Sequence, residues 1–373
     1  MKLSILANFI FVIAALIVAL VLGKELFVPL AFAILVAFLL YPASKFLEKK
    51  LPRVLSIAIV FLLTTAIIFG VFTLFSFLFK NVITNIKYID IEFRDIVNTC
   101  AASVSSFFGV EQGTILQMLE DNAGGMMEAP LGFFSDQIIN STAVLFSGLI
   151  TAVLAFLLIL YRTAFKNFIV FQLDPSSRDE AQLVMKDIQS VSQQYIIGIG
   201  KAMLVLGLLN SLGLWIIGVK FPLFWGIFAA FLAIIPFVGT FIGGFLPFIF
   251  AIATTGTVWQ PVAVVLMFSV VQFLDDNFIT PKIVGKNVDI NPFVAIISLI
   301  FGGIIWGIPG IVLSLPYVAV LKIILDNFAE TQSISALMSS EVYNKPNIFK
   351  QEFSDKKYSI TNLFKLKKRK TKS

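Results

Sequence analysis

Polar side chains interrupt an apolar segment near residue 275, and they are the residues of this chain best suited to chemistry at membrane depth. On a helix, Gln272 and Asp276 lie one turn apart on the same face, with Asp275 beside them. A carboxylate with amide neighbours can bind a cation, accept a proton or hydrogen-bond a hydroxylated solute. The alternative is that both aspartates end a helix at the cytoplasmic surface and pair with Lys282 or Lys286. The group consists of Gln272, Asp275, Asp276 and Asn277, followed by Pro281.

Two apolar regions on either side of this group are interrupted by glycine and proline. The first, 222–255, contains IIPFVGTFIGGFLP, and the second, 292–325, contains FGGIIWGIPGIVLSLP. Broken backbone at membrane depth is tolerated only where it is buried in protein or lines a polar cavity. Paired broken segments therefore indicate a transporter site, although helix packing alone also accounts for such glycines. The candidates are Pro236 and Gly239 in the first region, and Asn291, Pro292, Gly302, Gly303, Gly307, Pro309 and Gly310 in the second.

Each broken region is expected to return to the side from which it entered, the first from outside and the second from inside. We expect the two regions to meet at the centre of the protein and line one cavity. A structural role is favoured for Asn291, because Asn followed by Pro is typical of a helix N-cap and first turn. Trp259 and Trp306 are expected as anchors at the membrane interface.

The composition predicts an integral membrane protein, since 58% of residues are hydrophobic and only 13% are charged. A soluble domain cannot hide that much apolar surface. Histidine is absent and Cys100 is the single cysteine, which excludes a disulfide, a Ser-His or Cys-His pair and a His/Cys metal site within one chain. No phosphate loop or HExxH motif is present. We therefore expect no cofactor and no enzymatic activity.

The distribution of charge predicts the topology, because short loops rich in Lys and Arg stay cytoplasmic. The loop that contains Lys50 is basic, and 162–201 carries five basic residues, whereas 80–142 carries three basic and eight acidic residues. Both termini are therefore expected in the cytoplasm. Spans of about 20 apolar residues are predicted near 3–22, 26–43, 54–79, 143–161, 202–219 and 260–275.

The predicted domains follow from these spans. A capping box, Ser177 with Glu180, precedes apolar residues at helical spacing, which predicts an amphipathic helix before the transport core. Residues 345–373 hold ten Lys or Arg against two acids, so we expect this tail to attract anionic lipids. The domains are 1–79, N-terminal transmembrane helices; 80–142, an external helical segment; 143–161, a transmembrane helix; 162–201, a cytoplasmic amphipathic segment; 202–327, the transport core with broken helices; and 328–373, a basic cytoplasmic tail.

Several of these motifs together resemble the AI-2E transporter family, also known as the PerM-like permeases. The resemblance rests on IPFVGTFIGG, on Gln272 with the following LDDN and Pro281, on NVDINPF and on FGGIIWGIPGIVLSLP. It implies an all-α polytopic protein of the bacterial inner membrane with about eight transmembrane helices, plus re-entrant or broken hairpins. Family members are described as exporters of autoinducer-2 or as sodium(lithium)/proton antiporters. Which of Asp275 and Asp276 corresponds to the acidic position of the family stays open.

Three functions compete on these grounds. The first is export of a small polar solute such as autoinducer-2, driven by its gradient and by sodium or proton coupling, and the second is sodium/proton antiport through Asp275 or Asp276. Carboxylates are the proton carriers that remain when histidine is absent. The third is a membrane scaffold or regulatory protein, which the broken helices argue against. We expect a homo-oligomer, with no nucleic acid as partner.

Overall fold

The computed structural model of the chain is entirely helical in its regular structure over the residues it describes. Those residues are 3–86, 142–235, 238–255, 259–283, 289–328 and 330–344, together with the single positions 257, 347, 349, 353 and 358. The expected external segment 80–142 lies mostly outside this set, apart from its first residues, which continue a transmembrane helix to Ile86.

The helices, in chain order, differ widely in length. They are α1 (Leu3–Leu22), α2 (Lys24–Leu47), α3 (Arg53–Ile86), α4 (Thr142–Leu160), α5 (Arg162–Phe171), α6 (Arg178–Ile217), α7 (Pro222–Leu232), α8 (Val238–Thr255), α9 (Trp259–Leu274), a π-helical segment (Asp275–Ile279), α10 (Thr280–Ile283), α11 (Pro292–Trp306), α12 (Ile308–Asp326), α13 (Gln332–Met338) and α14 (Glu341–Asn344).

Membrane-spanning character is distributed along the whole described chain. Five helical stretches are long and apolar enough to cross a bilayer, and α4 with α5, which bend by 66° at their junction, form a sixth candidate. The helix α1 adds a mainly apolar stretch of 20 residues near the N-terminus. The expected all-α polytopic fold is confirmed. The five stretches are Lys24–Leu47, Arg53–Lys80, Pro175–Ile217, Trp259–Ile283 and Ile308–Asp326.

The helix α6 joins two helices that we expected to be separate. We expected an amphipathic segment to end near residue 201 and a separate span to begin there, but one helix of 40 residues runs through both. At 1.5 Å per residue it is about 60 Å long, twice the ~30 Å hydrocarbon core. No proline lies within α6, so nothing of that kind forces the helix to stop between the amphipathic part and the span. Tyr195, on the predicted apolar face, is buried, whereas Lys186 is exposed.

The described chain divides into two compact units. The first consists of Met1–Phe61, Ile150–Gly198 and Val284–Ser373, and the second of Leu62–Leu149 and Ile199–Ile283. Three helices, α3, α4 and α6, contribute to both units.

A core of alanine and isoleucine holds the first part of unit 1 together. Ala33 of α2, Ile57 of α3 and Ala155 of α4 have no exposed surface. Next to this core, Arg162 donates two hydrogen bonds to Glu48, with 2.8 Å between Nη1 and Oε1. These bonds lower the pKa of Glu48, and nearby cations add to the effect. The bend between α4 and α5 is thereby tied to the end of α2.

Unit 2 has an aromatic core contributed by α3, α6, α7, α8 and α9. Phe224, Trp225 and Phe228 of α7 are nearly fully buried, and they contact Phe250 of α8 and Val264 of α9. The Trp225 and Phe250 ring centroids are 5.0 Å apart. Large flat side chains of this kind bury much apolar area for little loss of side-chain entropy. The core fixes α7 and α9 near the polar group described next.

Candidate functional site

The polar group around residue 275 lies where α9 changes from an α-helix to a π-helix. Residues Asp275–Ile279 form the π-helical segment, in which the N–H of Thr280 donates to the carbonyl of Asp275, five residues earlier. Pro281 contributes to this break, because it has no N–H to offer to the carbonyl of Asn277. A π-helical turn inside an α-helix is frequently found at functional sites.

The two aspartates have different surroundings. Asp275 is only 9% exposed, and its Oδ1 accepts a hydrogen bond of 2.7 Å from the hydroxyl of Thr280. Asp276 is exposed and accepts a hydrogen bond of 2.8 Å from the amide of Gln272, so the two side chains lie one turn apart on the same face, as predicted. The backbone N–H of Thr280 also donates to the carboxylate of Asp275. Asp275 is thus the buried ionisable group of this segment.

The remaining members of the group have structural contacts. The side chain of Asn277 is exposed and donates to the carbonyl of Phe273 at 2.8 Å. Lys282 lies over the ring of Phe278, 5.9 Å from its centroid, and Lys286 lies outside the described residues. Thr280, the partner of Asp275, was not singled out by the sequence analysis. Thr280 lies five residues after Asp275. Residues at this spacing become neighbours on a helix only because the π-helix widens the turn.

In the first broken region, α7 and α8 form a hairpin closed by a short turn after Leu232. A Cβ at Gly239 would overlap the carbonyl of Leu232, and one at Gly243 would lie 3.0 Å from the Cα of Ala229. Glycine at both positions lets the two helices approach closely. Pro236, the other candidate in this region, lies outside the described residues. With 11 residues, α7 is too short to cross the hydrocarbon core.

The second broken region is also a hairpin, with α11 and α12 meeting at Gly307. Gly307 has φ +65° and ψ −139°, a conformation that side-chain-bearing residues avoid. A Cβ at Gly302 would overlap Gly310 and Ser314 of α12, and one at Gly303 would lie 3.3 Å from Ile311. Pro309 lies in the first turn of α12, where its missing N–H costs nothing.

Asn291 begins α11 as predicted, with Pro292 in the first turn. Its Oδ1 accepts 2.9 Å from the N–H of Val294, which confirms the N-cap. Its backbone N–H also donates 2.8 Å to the carbonyl of Met338, and its amide donates 2.6 Å to that of Leu337. Asn291 thus ties the start of the hairpin to α13.

Asp289 strengthens the same junction, although the sequence analysis did not single it out. It accepts hydrogen bonds from the hydroxyls of Ser339 and Ser340, and the N–H of Ser340 donates at 2.9 Å. Lys322 of α12 lies 3.3 Å from the same carboxylate. We call these residues, with Asn291, the hairpin-base cluster. Its signal in the sequence is weak because the partners lie about 50 residues apart.

The two broken regions belong to different compact units, α7 and α8 to unit 2 and α11 and α12 to unit 1. That they line one cavity stays a prediction. Trp306, which we expected as an interface anchor, donates from its indole N–H to the carbonyl of Leu20 at 2.9 Å. Tyr317 of α12 donates similarly to the carbonyl of Ala31 at 2.8 Å. These contacts fix the second hairpin against α1 and α2.

These observations define the class of protein: a multi-pass, all-α membrane protein whose apolar helices are broken into hairpins, with a buried carboxylate at a π-helical turn. The comparison with known families agrees. The chain belongs to the AI-2E transporter family, whose model matches residues 9–330. It is therefore a membrane transport protein.

Several relatives cover most of the chain. A putative transport protein, YrrI, of Bacillus subtilis is 29% identical over 82% of this chain and 87% of its own length. A putative transport protein of Borreliella burgdorferi is 26% identical, with 85% of each chain covered. The AI-2 transport protein TqsA of Escherichia coli is 24% identical, with 85% of this chain and 90% of the relative covered.

Proposed function

We propose that this protein exports a small polar solute, autoinducer-2 or a similar signal, across the bacterial inner membrane. The observation that carries the proposal is Asp275, a buried carboxylate at a π-helical break inside an apolar helix. An ionisable side chain in such a setting is costly and is usually retained for transport or proton relay. The name of the relative TqsA, an AI-2 transport protein, supports this solute.

Asp275 has two properties suited to coupling. Burial of a carboxylate disfavours its charged form, so binding of a cation or a proton there is linked to local structure. The hydroxyl of Thr280 donates to this carboxylate at 2.7 Å, and a cation, a proton or a donor on the solute would compete with that contact. The helix is widened at this point, so the contact can change with a small shift of the π-turn. This arrangement supports export coupled to sodium or proton entry.

Sodium(lithium)/proton antiport is the second candidate, and the same carboxylate supports it. In that case Asp275 would exchange a proton for a cation at each cycle, without an organic solute. The two candidates differ in what crosses the membrane: an organic solute in export, and only cations and protons in antiport. A scaffold or regulatory role has less support, since it needs neither a buried carboxylate nor broken helices.

We further propose that both termini lie in the cytoplasm, that the protein is a homo-oligomer and that the basic tail contacts anionic lipid. The excess of Lys and Arg in 345–373 supports the lipid contact, at about 1 kcal/mol for each basic residue near the surface. Reconstituted vesicles should accordingly contain anionic lipid.

The experiment compares Asp275→Asn with Asp276→Asn in vesicles, measuring autoinducer-2 flux and, separately, sodium-dependent proton flux. Asp276 is the matched control, because it is the adjacent carboxylate but is exposed. We expect Asp275→Asn to abolish or uncouple flux and Asp276→Asn to retain it. Solute flux in the unaltered protein supports export, and cation exchange alone supports antiport. Normal flux in both variants would show that the acidic pair is structural.

A further inference from the structure

The contact between α6 and α7 in unit 2 is unusually close. A Cβ at Gly207 would lie 3.5 Å from the Cβ of Ala230, and one at Gly226 would overlap the Oγ of Ser211. These two pairs show that α6 and α7 run antiparallel with their backbones nearly touching. We call this contact the α6–α7 seam. It comprises Gly207, Asn210 and Ser211 of α6 and Trp225, Gly226 and Ala230 of α7.

Three polar atoms in the seam are buried without a hydrogen-bond partner among the described residues. They are Oδ1 of Asn210, Oγ of Ser211 and Nε1 of Trp225, and their side chains are 5%, 9% and 5% exposed. Leaving a buried donor or acceptor unsatisfied costs about 1–3 kcal/mol. Lipid cannot supply the missing partners.

Two buried hydroxyls outside the seam behave differently, although Oγ of Ser192, earlier in α6, also has no partner among the described residues. Ser44 of α2 donates to the carbonyl of Leu40 at 3.0 Å, and Ser314 of α12 donates to that of Gly310 at 2.6 Å. Both thus use the carbonyl one turn back in their own helix, which is the ordinary solution in apolar surroundings. The Oγ of Ser211 instead points at α7. It is the nearest atom to the place that a Cβ on Gly226 would occupy.

The seam adjoins the proposed coupling site. Leu206, one turn before Asn210, and Ala230 belong to the same apolar cluster as Val271 and Ile279. Val271 and Ile279 lie one turn before and one turn after Asp275. A solute that parted α6 from α7 would therefore also press on the π-helical segment.

We propose that the α6–α7 seam is a closed section of the solute path, which opens during transport and binds a small uncharged solute through these three atoms. The inference rests on the proposed function and names a solute class for it. One carbonyl acceptor, one hydroxyl and one indole donor suit a molecule with hydroxyl and carbonyl groups. None of the three atoms carries a charge, so the seam recognises a neutral solute. Binding of the coupling ion is the role of Asp275.

A disulfide across the seam tests whether it opens. Gly207→Cys with Ala230→Cys, in a Cys100→Ser background, places the Cβ atoms at 3.5 Å, within the range of disulfides. Autoinducer-2 flux in vesicles should be lost when the bridge forms and return after reduction. Full flux in protein whose free thiols have disappeared would show that the seam stays closed throughout transport. Failure of the bridge to form would refute the close contact itself.

Thiol labelling gives a second measurement that needs no flux. Ser211→Cys in the same background should react with a water-soluble thiol reagent, and autoinducer-2 should slow the reaction. The matched control is Ser44→Cys, at a buried and partnered serine, which should stay unlabelled. Equal protection of both cysteines would overturn the proposal. If Ser211→Cys is labelled but the unaltered protein transports no autoinducer-2, then autoinducer-2 is refuted as the solute. The opening of the seam would still be supported.

Discussion

The hairpin-base cluster gives a prediction whose size can be worked out from the structure. Replacing Asp289 with Asn removes the charge that holds Ser339, Ser340 and Lys322 at the start of α11. The shape of the side chain is nearly unchanged, so cavities and overpacking do not complicate the result. We expect the junction between α11 and α13 to open more often, without loss of the rest of the fold.

The pKa of Asp289 sets the magnitude. Burial raises this pKa, but hydrogen bonds from Ser339 and Ser340, with the charge of Lys322, outweigh burial and hold it at about 2, below the ordinary value of 3.8. A difference of that size corresponds to at most about 2.4 kcal/mol. The side chain is 32% exposed, so solvent screening reduces the contribution to about 1 kcal/mol, roughly a fivefold change in the opening equilibrium.

The sign of the pH dependence follows from the lowered pKa. A carboxylate whose folded pKa lies below its unfolded value stabilises the folded state fully above the unfolded value, here near pH 4. The contribution is lost as the pH falls toward about 2. The junction of the unaltered protein should therefore loosen in that acid range, whereas Asp289→Asn should show little further change there.

Hydrogen exchange in detergent micelles measures this local opening. The informative amides are those of Ser340, which donates to Asp289, and of Asn291, which donates to the carbonyl of Met338. Both should exchange roughly fivefold faster in Asp289→Asn at neutral pH. Asp326→Asn is the matched control, since Asp326 also meets Lys322, at 3.9 Å, but is 51% exposed. Unchanged exchange at both amides would refute the stabilising role of Asp289.

Two further predictions concern helix packing and topology. Gly302→Ala should lower the free energy of unfolding in detergent by about 1–3 kcal/mol through overpacking and reduce flux. Gly70→Ala, where a Cβ has open space, should leave stability and flux near normal. Equal effects of the two substitutions would remove the case for a close hairpin. Cysteines introduced near Glu120 should react with an impermeant reagent in intact cells, and cysteines near Lys50 should not. Reaction only at the Lys50 site would invert the proposed topology.

Much of the fold could be predicted because lipid imposes strict rules on the sequence. Apolar length indicates where helices lie, and the glycine and proline around Gly307 predicted the break between α11 and α12. The spacing of Gln272 and Asp276 predicted that they share a helical face, and the Asn291–Pro292 dipeptide predicted an N-cap; the structure confirms both. These features depend on neighbours within about one turn of helix, so local rules suffice for them.

Only the tertiary structure decided the features that depend on distant partners. From the sequence, Asp275 and Asp276 were equivalent. Only Asp275 is buried by the surrounding helices, and no local sequence pattern encodes that burial. The two separate helices expected on either side of residue 201 are one helix in the structure, because a helix continues wherever nothing forces it to stop, whatever the polarity of its surroundings. The unsatisfied atoms of the α6–α7 seam could not be predicted either, since Oδ1 of Asn210 and Oγ of Ser211 are buried by the packing of distant helices. Composition and spacing therefore determine which segments are helical, whereas the burial of each polar group depends on how those helices pack.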